Sequence, residues 1–352
     1  MNKKVVVNLP SRAHVEGSVK ERYKYEIEAL TPVGAELVET HADTEDEFIA
    51  GAADADAVIT SWGIRMNEKV IGGLDKCLVI GVGSVGVDMV DVEAATRAGI
   101  VVTNTPDIFI EEVADHAMML LLATERRVKE MDRMVREGEW GKGRPLLSEI
   151  PRLWGQTLGL ISFGNVARAV ARRAKPFGFH VIAHDPYVSE LKMTSEGVEP
   201  IASLGELLER ADYVSMHPPL NDETRHLMST EAFGRMKKTA VLINTGRGPT
   251  VDEAALIEAL RTGEIAAAGL DVLEQEPADL QNPLLNLPNV IVTPHVASAT
   301  SRMRPETRRR VGREVALVLS GRWPRSAVNP GVLPRMALER WQPYPMERGP
   351  NR

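Results

Sequence analysis

The chain is 352 residues long, 43% hydrophobic and 26% charged, a balance that excludes a disordered protein and suits two domains of ordinary size. Its net charge of -7 argues against nucleic acid or an anionic membrane as partner, because binding phosphates draws on a basic face. The single cysteine, Cys77, excludes an intrachain disulfide; set in the apolar run Cys77-Leu78-Val79-Ile80, it reads as a buried strand thiol rather than a nucleophile.

The opening Met-Asn-Lys-Lys-Val5-Val6-Val7 offers too short an apolar run for a signal peptide. The longest apolar run, Ala117–Ala123, falls far below the roughly 20 residues of a membrane-spanning helix. A cytoplasmic location is expected.

In chain order, short apolar runs at Lys4–Val7, Glu36–Glu39, Ala57–Thr60, Leu78–Gly81 and Val101–Thr103 read as strands. Between them, Glu21–Leu30, Asp46–Ala52 and Val92–Arg97 read as helices, and this βαβ rhythm demands a parallel sheet. Ile108–Glu137 lacks Pro and Gly and repeats Val113, Ala117, Leu120, Leu121 and Val128 at helical spacing, which predicts one long helix closed by Gly138. Gly141–Leu153 reads as loop. The rhythm then resumes: strand Thr157–Ile161, helix Val166–Phe177, strand His180–Ala183, helix Leu204–Arg210 and strand Tyr213–Met216. It continues through strand Ala240–Ile243, helix Glu253–Thr262, strands Ala267–Leu270 and Val290–Thr293, and helix Pro305–Ser320. The tail after Pro330 reads as a loosely packed extension. The fold class is α/β, with two domains in series as the simplest arrangement.

Thr157–Ala171 places a strand, a tight turn and a helix in the order of a dinucleotide-binding fingerprint, G-x-G-x-x-G/A. Ser162, Gly164 and Ala167 fall at the three glycine positions, and Ser162 is the departure. Phe163, Gly164, Asn165 and Val166 then surround the helix N-terminus, whose amides and dipole suit a pyrophosphate. Asp185, ending the next strand, stands where an acid grips the adenosine ribose hydroxyls and would repel a 2′-phosphate, favouring NAD over NADP.

Three more strand ends carry titratable or charged groups, and strand ends are where ligands bind in such sheets. Val241–Gly248 presents Arg247; Gly269–Pro277 presents Asp271, Glu274 and Glu276; Val290–His295 presents His295 after a proline. Hydride transfer to a 2-oxo acid needs a cation for the carboxylate and a proton donor at the carbonyl. Arginine offers a planar fork matched to a carboxylate. Histidine titrates near neutrality and can give and take the proton, and a carboxylate beside it raises its pKa.

Asn244-Thr-Gly-Arg-Gly, Gly269-Leu-Asp-Val-Leu-Glu-Gln-Glu-Pro and Thr293-Pro-His closely resemble motifs of the D-isomer-specific 2-hydroxyacid dehydrogenases. The resemblance runs from about Lys4 to Pro330. It implies two Rossmann-like domains with parallel sheets: a discontinuous substrate domain of residues 1–107 and 295–335, an inserted NAD domain of residues 108–294, and an extension at 336–352. It implies that Arg247 binds the substrate carboxylate, that His295 is the acid/base beside the cofactor, and that Glu276, not Glu274, is its partner. Asp271 resembles the acid at the nicotinamide end of NAD; Thr245 and Gly246 line the same pocket, with Gly246 replacing the commoner alanine or serine. Ser215–Leu220 resembles the segment bordering the cofactor, which points to His217 and Pro218, with Thr224 following. Gly83–Asp91 resembles the loop whose amides at Val85 and Gly86 hold the substrate carboxylate. Ser61-Trp62-Gly63 is expected to wall the substrate pocket.

The implied reaction is reversible hydride transfer between NAD(H) and a small D-2-hydroxy or 2-oxo acid, in a cleft that closes on its substrate. A homodimer built on Ile108–Glu137 is implied as well; no metal, nucleic acid or membrane is. Relatives of this family that oxidise formate, phosphite or a phosphorylated hydroxy acid give one alternative, with Arg302 and Arg304 available to a second anionic group. NAD-sensing corepressor-like scaffolds of the same fold give another.

Overall fold

A computed structural model describes residues 3–11, 13, 16–60, 63–148 and 150–340. Ser61 and Trp62 lie outside the described residues. The chain divides into two compact units, one from Met1–Ile108 with Thr300–Arg352 and one from Phe109–Ala299.

In the first unit, strands β1 (Lys3–Asn8), β2 (Ala35–Thr40), β3 (Ala57–Thr60), β4 (Val79–Val82) and β5 (Val101–Thr103) form one parallel sheet in the order 2-1-3-4-5. Side chains alternate across it: Val5, Val7 and Val79 enter one core, Val6, Val58 and Ile80 the other. Helix starts follow the sequence closely. Thr44 and Glu47 form a reciprocal capping box ahead of Glu45–Ala52, and Asp91 accepts the Ala94 N–H ahead of Val92–Arg97.

The expected helix Glu21–Leu30 is two helices, Val19–Arg22 and Lys24–Leu30, divided at Tyr23. The segment after Pro330 is packed rather than loose: Val332 and Leu333 are buried with the helix Met303–Leu319, and Met336 and Leu338 lie against the same core. Residues 336–340 therefore belong with the first unit, where the Glu339 N–H bonds the Gly321 carbonyl.

The second unit is a doubly wound sheet of seven parallel strands: β6 (Thr157–Ile161), β7 (His180–His184), β8 (Glu199–Pro200), β9 (Tyr213–Met216), β10 (Val241–Asn244), β11 (Ala267–Leu270) and β12 (Val290–Val292). Their order is 12-11-10-9-6-7-8. The chain starts at β6, winds outward through β7 and β8, then returns to build β9 to β12 on the other side, so the direction reverses between β6 and β9. Ligands bind outside the carboxyl ends of strands at such a reversal. Both faces are covered, as all-parallel sheets require. Leu158, Leu160, Val241 and Ile243 pack under Ile110–Glu125 and Asn165–Ala174, while Ile161, Leu242, Leu270 and Val290 enter the opposite core.

The long helix expected over Ile108–Glu137 is two, Ile110–Glu125 and Val128–Arg136, broken where Arg127 adopts a left-handed backbone at φ 49°. The apolar stripe that buries Ala117, Leu120 and Leu121 ends there, and Val128–Arg136 buries none of its side chains. The segment read as loop holds a short helix, Gly143–Leu147. Residues 295–299, assigned above to the discontinuous domain, cluster with the second unit, because the Val296 and Ala297 N–H groups bond Asp271. Among the described residues no helix is long and apolar enough to cross a membrane.

Candidate active site

Strands β10, β11 and β12 are adjacent and in register, Asn244 opposite Leu270 and Leu270 opposite Val292. Their ends therefore deliver Arg247, Asp271 and His295 side by side. The ladder continues into the loops: the Asp271 N–H bonds the Asn244 carbonyl at 2.8 Å and the Thr293 N–H bonds the Leu270 carbonyl at 2.8 Å.

Asp271 fixes the histidine loop. It is 1% exposed. Its Oδ1 accepts the Thr293 hydroxyl (2.6 Å) and the Val296 N–H (3.0 Å), and its Oδ2 accepts the Ala297 N–H (2.8 Å). Its own carbonyl accepts the His295 N–H at 2.8 Å. His295 sits in the left-handed region at φ 51°, a conformation that side chains keep only when surroundings over-determine it. Asp271, which the resemblance places at the nicotinamide end of the cofactor, has its carboxylate bonded by Thr293, Val296 and Ala297.

His295 Nδ1 lies 2.7 Å from Glu276 Oε2. The other Glu276 oxygen accepts the Leu273 N–H at 3.1 Å. Glu274 is spoken for elsewhere, 2.6 Å from His226 Nε2, with its second oxygen on the Glu253 N–H. The bond to Glu276 raises the His295 pKa above the ordinary imidazole value, against burial and the nearby Arg247 charge. Burial works to raise the Glu276 carboxyl, but the bonds from His295 and Leu273 outweigh it and hold the group low. Arg247 acts on both partners electrostatically, so the three side chains share one field.

Arg247 is positioned by its backbone. Its carbonyl accepts Asn244 Nδ2 (3.0 Å) and the Thr250 hydroxyl (2.6 Å), and its Nη1 donates to the Gly246 carbonyl (2.8 Å). The next residue has to be glycine: a Cβ at Gly248 would stand 1.8 Å from the Leu273 carbonyl oxygen. That close approach joins the Arg247 loop to the Asp271–Glu276 loop. Gly246 has no such constraint, since a Cβ there meets nothing nearer than 3.5 Å.

Across the reversal point, β6 ends in the fingerprint turn. Ser162, at the first glycine position, has φ 70°, where a side chain costs about 1–2 kcal/mol. Its hydroxyl offsets part of this by donating to Asp185 Oδ2 at 3.2 Å, beside the Phe163 N–H at 2.8 Å. Gly164 opens the helix Asn165–Ala174 without a side-chain cap, and a Cβ on it would meet nothing within 4 Å. Packing does not ask for this glycine; open space before uncapped amides fits a phosphate. Phe163 is buried, whereas Gly164 and Asn165 are exposed and Val166 is half-buried. Asp185 also accepts the Tyr187 N–H at 2.8 Å, so this carboxylate is held on both oxygens.

His217 and Pro218 follow β9. Burial pushes the His217 imidazole down to about 4, which keeps it neutral, with Nε2 2.9 Å from the Ser215 hydroxyl. The Thr224 hydroxyl bonds the Pro219 carbonyl (2.6 Å) and closes that loop. Thr245, after β10, has a buried hydroxyl with no hydrogen-bond partner, a polar atom left over for a ligand. Orphaned hydroxyl, open glycine cradle and held acid together suit a dinucleotide.

Val85 and Gly86 lie in the first unit after β4, where Ser84 Oγ bonds the Gly86 carbonyl and Asn104 Nδ2 bonds the Val85 carbonyl. His116, on the helix Ile110–Glu125, also reaches this site, its Nε2 2.9 Å from Thr293 Oγ1. One histidine on a helix gives no motif, and only its proximity to Asp271 distinguishes it. Among the described residues no cluster of metal-binding side chains is present.

Replacing Gly248 by Ala is expected to push the Arg247 loop off the Asp271–Glu276 loop. Backbone has to move, so the cost is about 1–3 kcal/mol, read as a lower urea midpoint with an unchanged m-value. An unchanged midpoint would show that the two loops do not depend on this contact.

The sequence profile described as D-isomer specific 2-hydroxyacid dehydrogenase, NAD binding domain, matches residues 118–297. The chain is 42% identical over 287 residues to the glyoxylate reductase of Korarchaeum cryptofilum, covering 81% of this chain and 86% of that one. It is 39% identical over 318 residues to the D-3-phosphoglycerate dehydrogenase of Methanocaldococcus jannaschii, covering 90% of this chain but only 60% of that longer protein. Its fold matches the crystal structure of a glyoxylate reductase from Paecilomyes thermophila with a TM-score of 0.81 at 28% identity, covering 94% of this chain and 100% of that one. The chain accordingly belongs to the D-isomer specific 2-hydroxyacid dehydrogenases, a family of oxidoreductases that act on CH–OH groups with a nicotinamide cofactor.

Proposed function

We propose that this protein reduces a small 2-oxo acid to its D-2-hydroxy acid with NADH, and runs the reverse reaction with NAD. The observation that carries the proposal is the His295–Glu276 pair at 2.7 Å, within the field of Arg247.

The guanidinium of Arg247 takes the substrate carboxylate, whose charge and planarity it matches. His295, whose protonated form the bond to Glu276 favours, donates from Nε2 to the carbonyl oxygen as that oxygen gains charge. Glu276 stabilises the imidazolium and holds the ring so that Nε2 faces away from the pair. In the oxidative direction the neutral imidazole accepts the hydroxyl proton. Bound nicotinamide supplies or accepts the hydride at the substrate C2. Gly164 with the amides of Asn165 and Val166, the carboxylate of Asp185, and the Thr245 hydroxyl would hold the cofactor, with Phe163, His217, Pro218, Thr224 and Gly246 shaping its surroundings. Asp185, fixed on both oxygens, favours NAD over NADP. The names of the relatives make glyoxylate the first 2-oxo acid to try.

The protein is further proposed to be a homodimer. An open groove of about 730 Å³ runs between Met118, Met119, Leu122, Val128 and Phe177. Of these, Met119, Val128 and Phe177 are each more than 40% exposed, an apolar patch of the kind that marks an association surface.

Two measurements check these readings. A spectrophotometric screen of 2-oxo acids with NADH and NADPH should show NADH-dependent turnover, and Arg247→Ala should lower kcat/KM by roughly 10²–10³-fold. Near-normal kcat/KM in that variant would remove Arg247 from the site, and absence of any turnover would favour a scaffold. Light scattering should give twice the chain mass for the wild type and a monomer for Val128→Glu; a monomeric wild type would rule out the dimer.

A further inference from the structure

The mechanism leaves unused a largely buried titratable group beside the anchor of the His295 loop. His116 projects from the helix Ile110–Glu125, its side chain 16% exposed, with Nε2 2.9 Å from Thr293 Oγ1 and 3.4 Å from Asp271 Oδ1. The Thr293 hydroxyl donates its single hydrogen to Asp271 Oδ1 at 2.6 Å. A hydroxyl has only one hydrogen, so the bond to His116 requires the imidazole to be the donor. That fixes the proton on Nε2. The chain of donors then runs in one direction: His116 to Thr293, Thr293 to Asp271.

Asp271 is also the anchor of the catalytic loop. It receives the Val296 and Ala297 N–H groups on its carboxylate and the His295 N–H on its carbonyl. His295 is kept at φ 51° by this anchoring. Every one of these bonds points inward on the same buried acid. The N–H groups come from the loop itself and move with it, whereas His116 comes from a separate helix packed against β11 and β12.

We infer that His116 is a positioning residue for His295: through the Thr293 hydroxyl it holds the Asp271 carboxylate, and so the 293–297 loop, in the one arrangement that aims the catalytic imidazole. The inference rests on the reading of His295 as the acid/base. His116 touches neither substrate nor cofactor in this role. It sets where the proton donor stands, and it explains why the residue two before His295 carries a hydroxyl.

The test uses the full chain with NADH and the best 2-oxo acid, in five variants. His116→Leu removes the donor and should lower kcat by roughly 10–100-fold, the range of effects that small misplacements of a catalytic group produce. The Kd for NADH, read by fluorescence titration, should stay within about twofold, since the fingerprint turn and Asp185 lie on other strands. His116→Gln places an amide N–H near the position of imidazole Nε2 and should restore much of kcat, while His116→Asn, whose amide falls short, should not. Should His116→Leu fail to fold, Thr293→Val breaks the same link from the other side and must reproduce the kcat loss with NADH binding kept. Unchanged kcat in His116→Leu and Thr293→Val would overturn the inference, as would equal loss in the Gln and Asn variants. His295→Ala separates the two levels: if it abolishes turnover while His116→Leu is normal, only the positioning role falls, and if it is active, the reading of His295 falls with it.

Discussion

A buried carboxylate, that of Asp271, is the fixed point of the second unit. An acid this deep is costly to keep unless its oxygens are filled, and they are filled by the Thr293 hydroxyl and by the N–H groups of Val296 and Ala297. Satisfying the acid therefore folds the loop. The same bonds set His295 in a left-handed backbone and bring its ring to Glu276. Sheet register does the rest: because β10, β11 and β12 end level, the loop that carries Arg247 and the loop that carries Glu276 meet at the Gly248–Leu273 approach.

The cofactor half depends on a different economy of hydrogen bonds. Ser162 occupies a backbone conformation that favours glycine, and its hydroxyl joins the Phe163 N–H on Asp185. The departure from the glycine fingerprint thus ties the turn after β6 to Asp185 at the end of β7. Gly164 stands at the uncapped start of the helix Asn165–Ala174, with open space where a side chain would lie. Preorganised groups of this kind are what a dinucleotide site requires, because none has to be rearranged when the ligand arrives.

Much of this was legible in the sequence where local pattern and tertiary role coincide. Strands such as Thr157–Ile161 and Ala267–Leu270 are short β-branched or small apolar runs buried on both faces, and they stand where the pattern placed them. Arg247 and His295 were legible because strand ends carry the chemistry in such sheets. Glu276 was separated from Glu274 by resemblance alone; the geometry separates them physically, one on His295 and the other on His226. The helix break at Arg127 was not legible, since neither Pro nor Gly marks it. Nor was the packing of Val332 and Leu333, which depends on a core built by residues far away in the chain. His116 carried no signal because its meaning lies in a partner 177 positions later.

Glu276 raising the His295 pKa is central to the proposed reaction, and the pH dependence of kcat/KM for 2-oxo acid reduction tests that most directly. Reduction needs the imidazolium, so the wild-type profile should fall as pH rises through a His295 pKa lying above the ordinary imidazole value. In Glu276→Gln the carboxylate that raises that pKa is gone, and the fall should move to lower pH. A profile whose alkaline limb stays in place when Glu276 is neutralised would contradict the account.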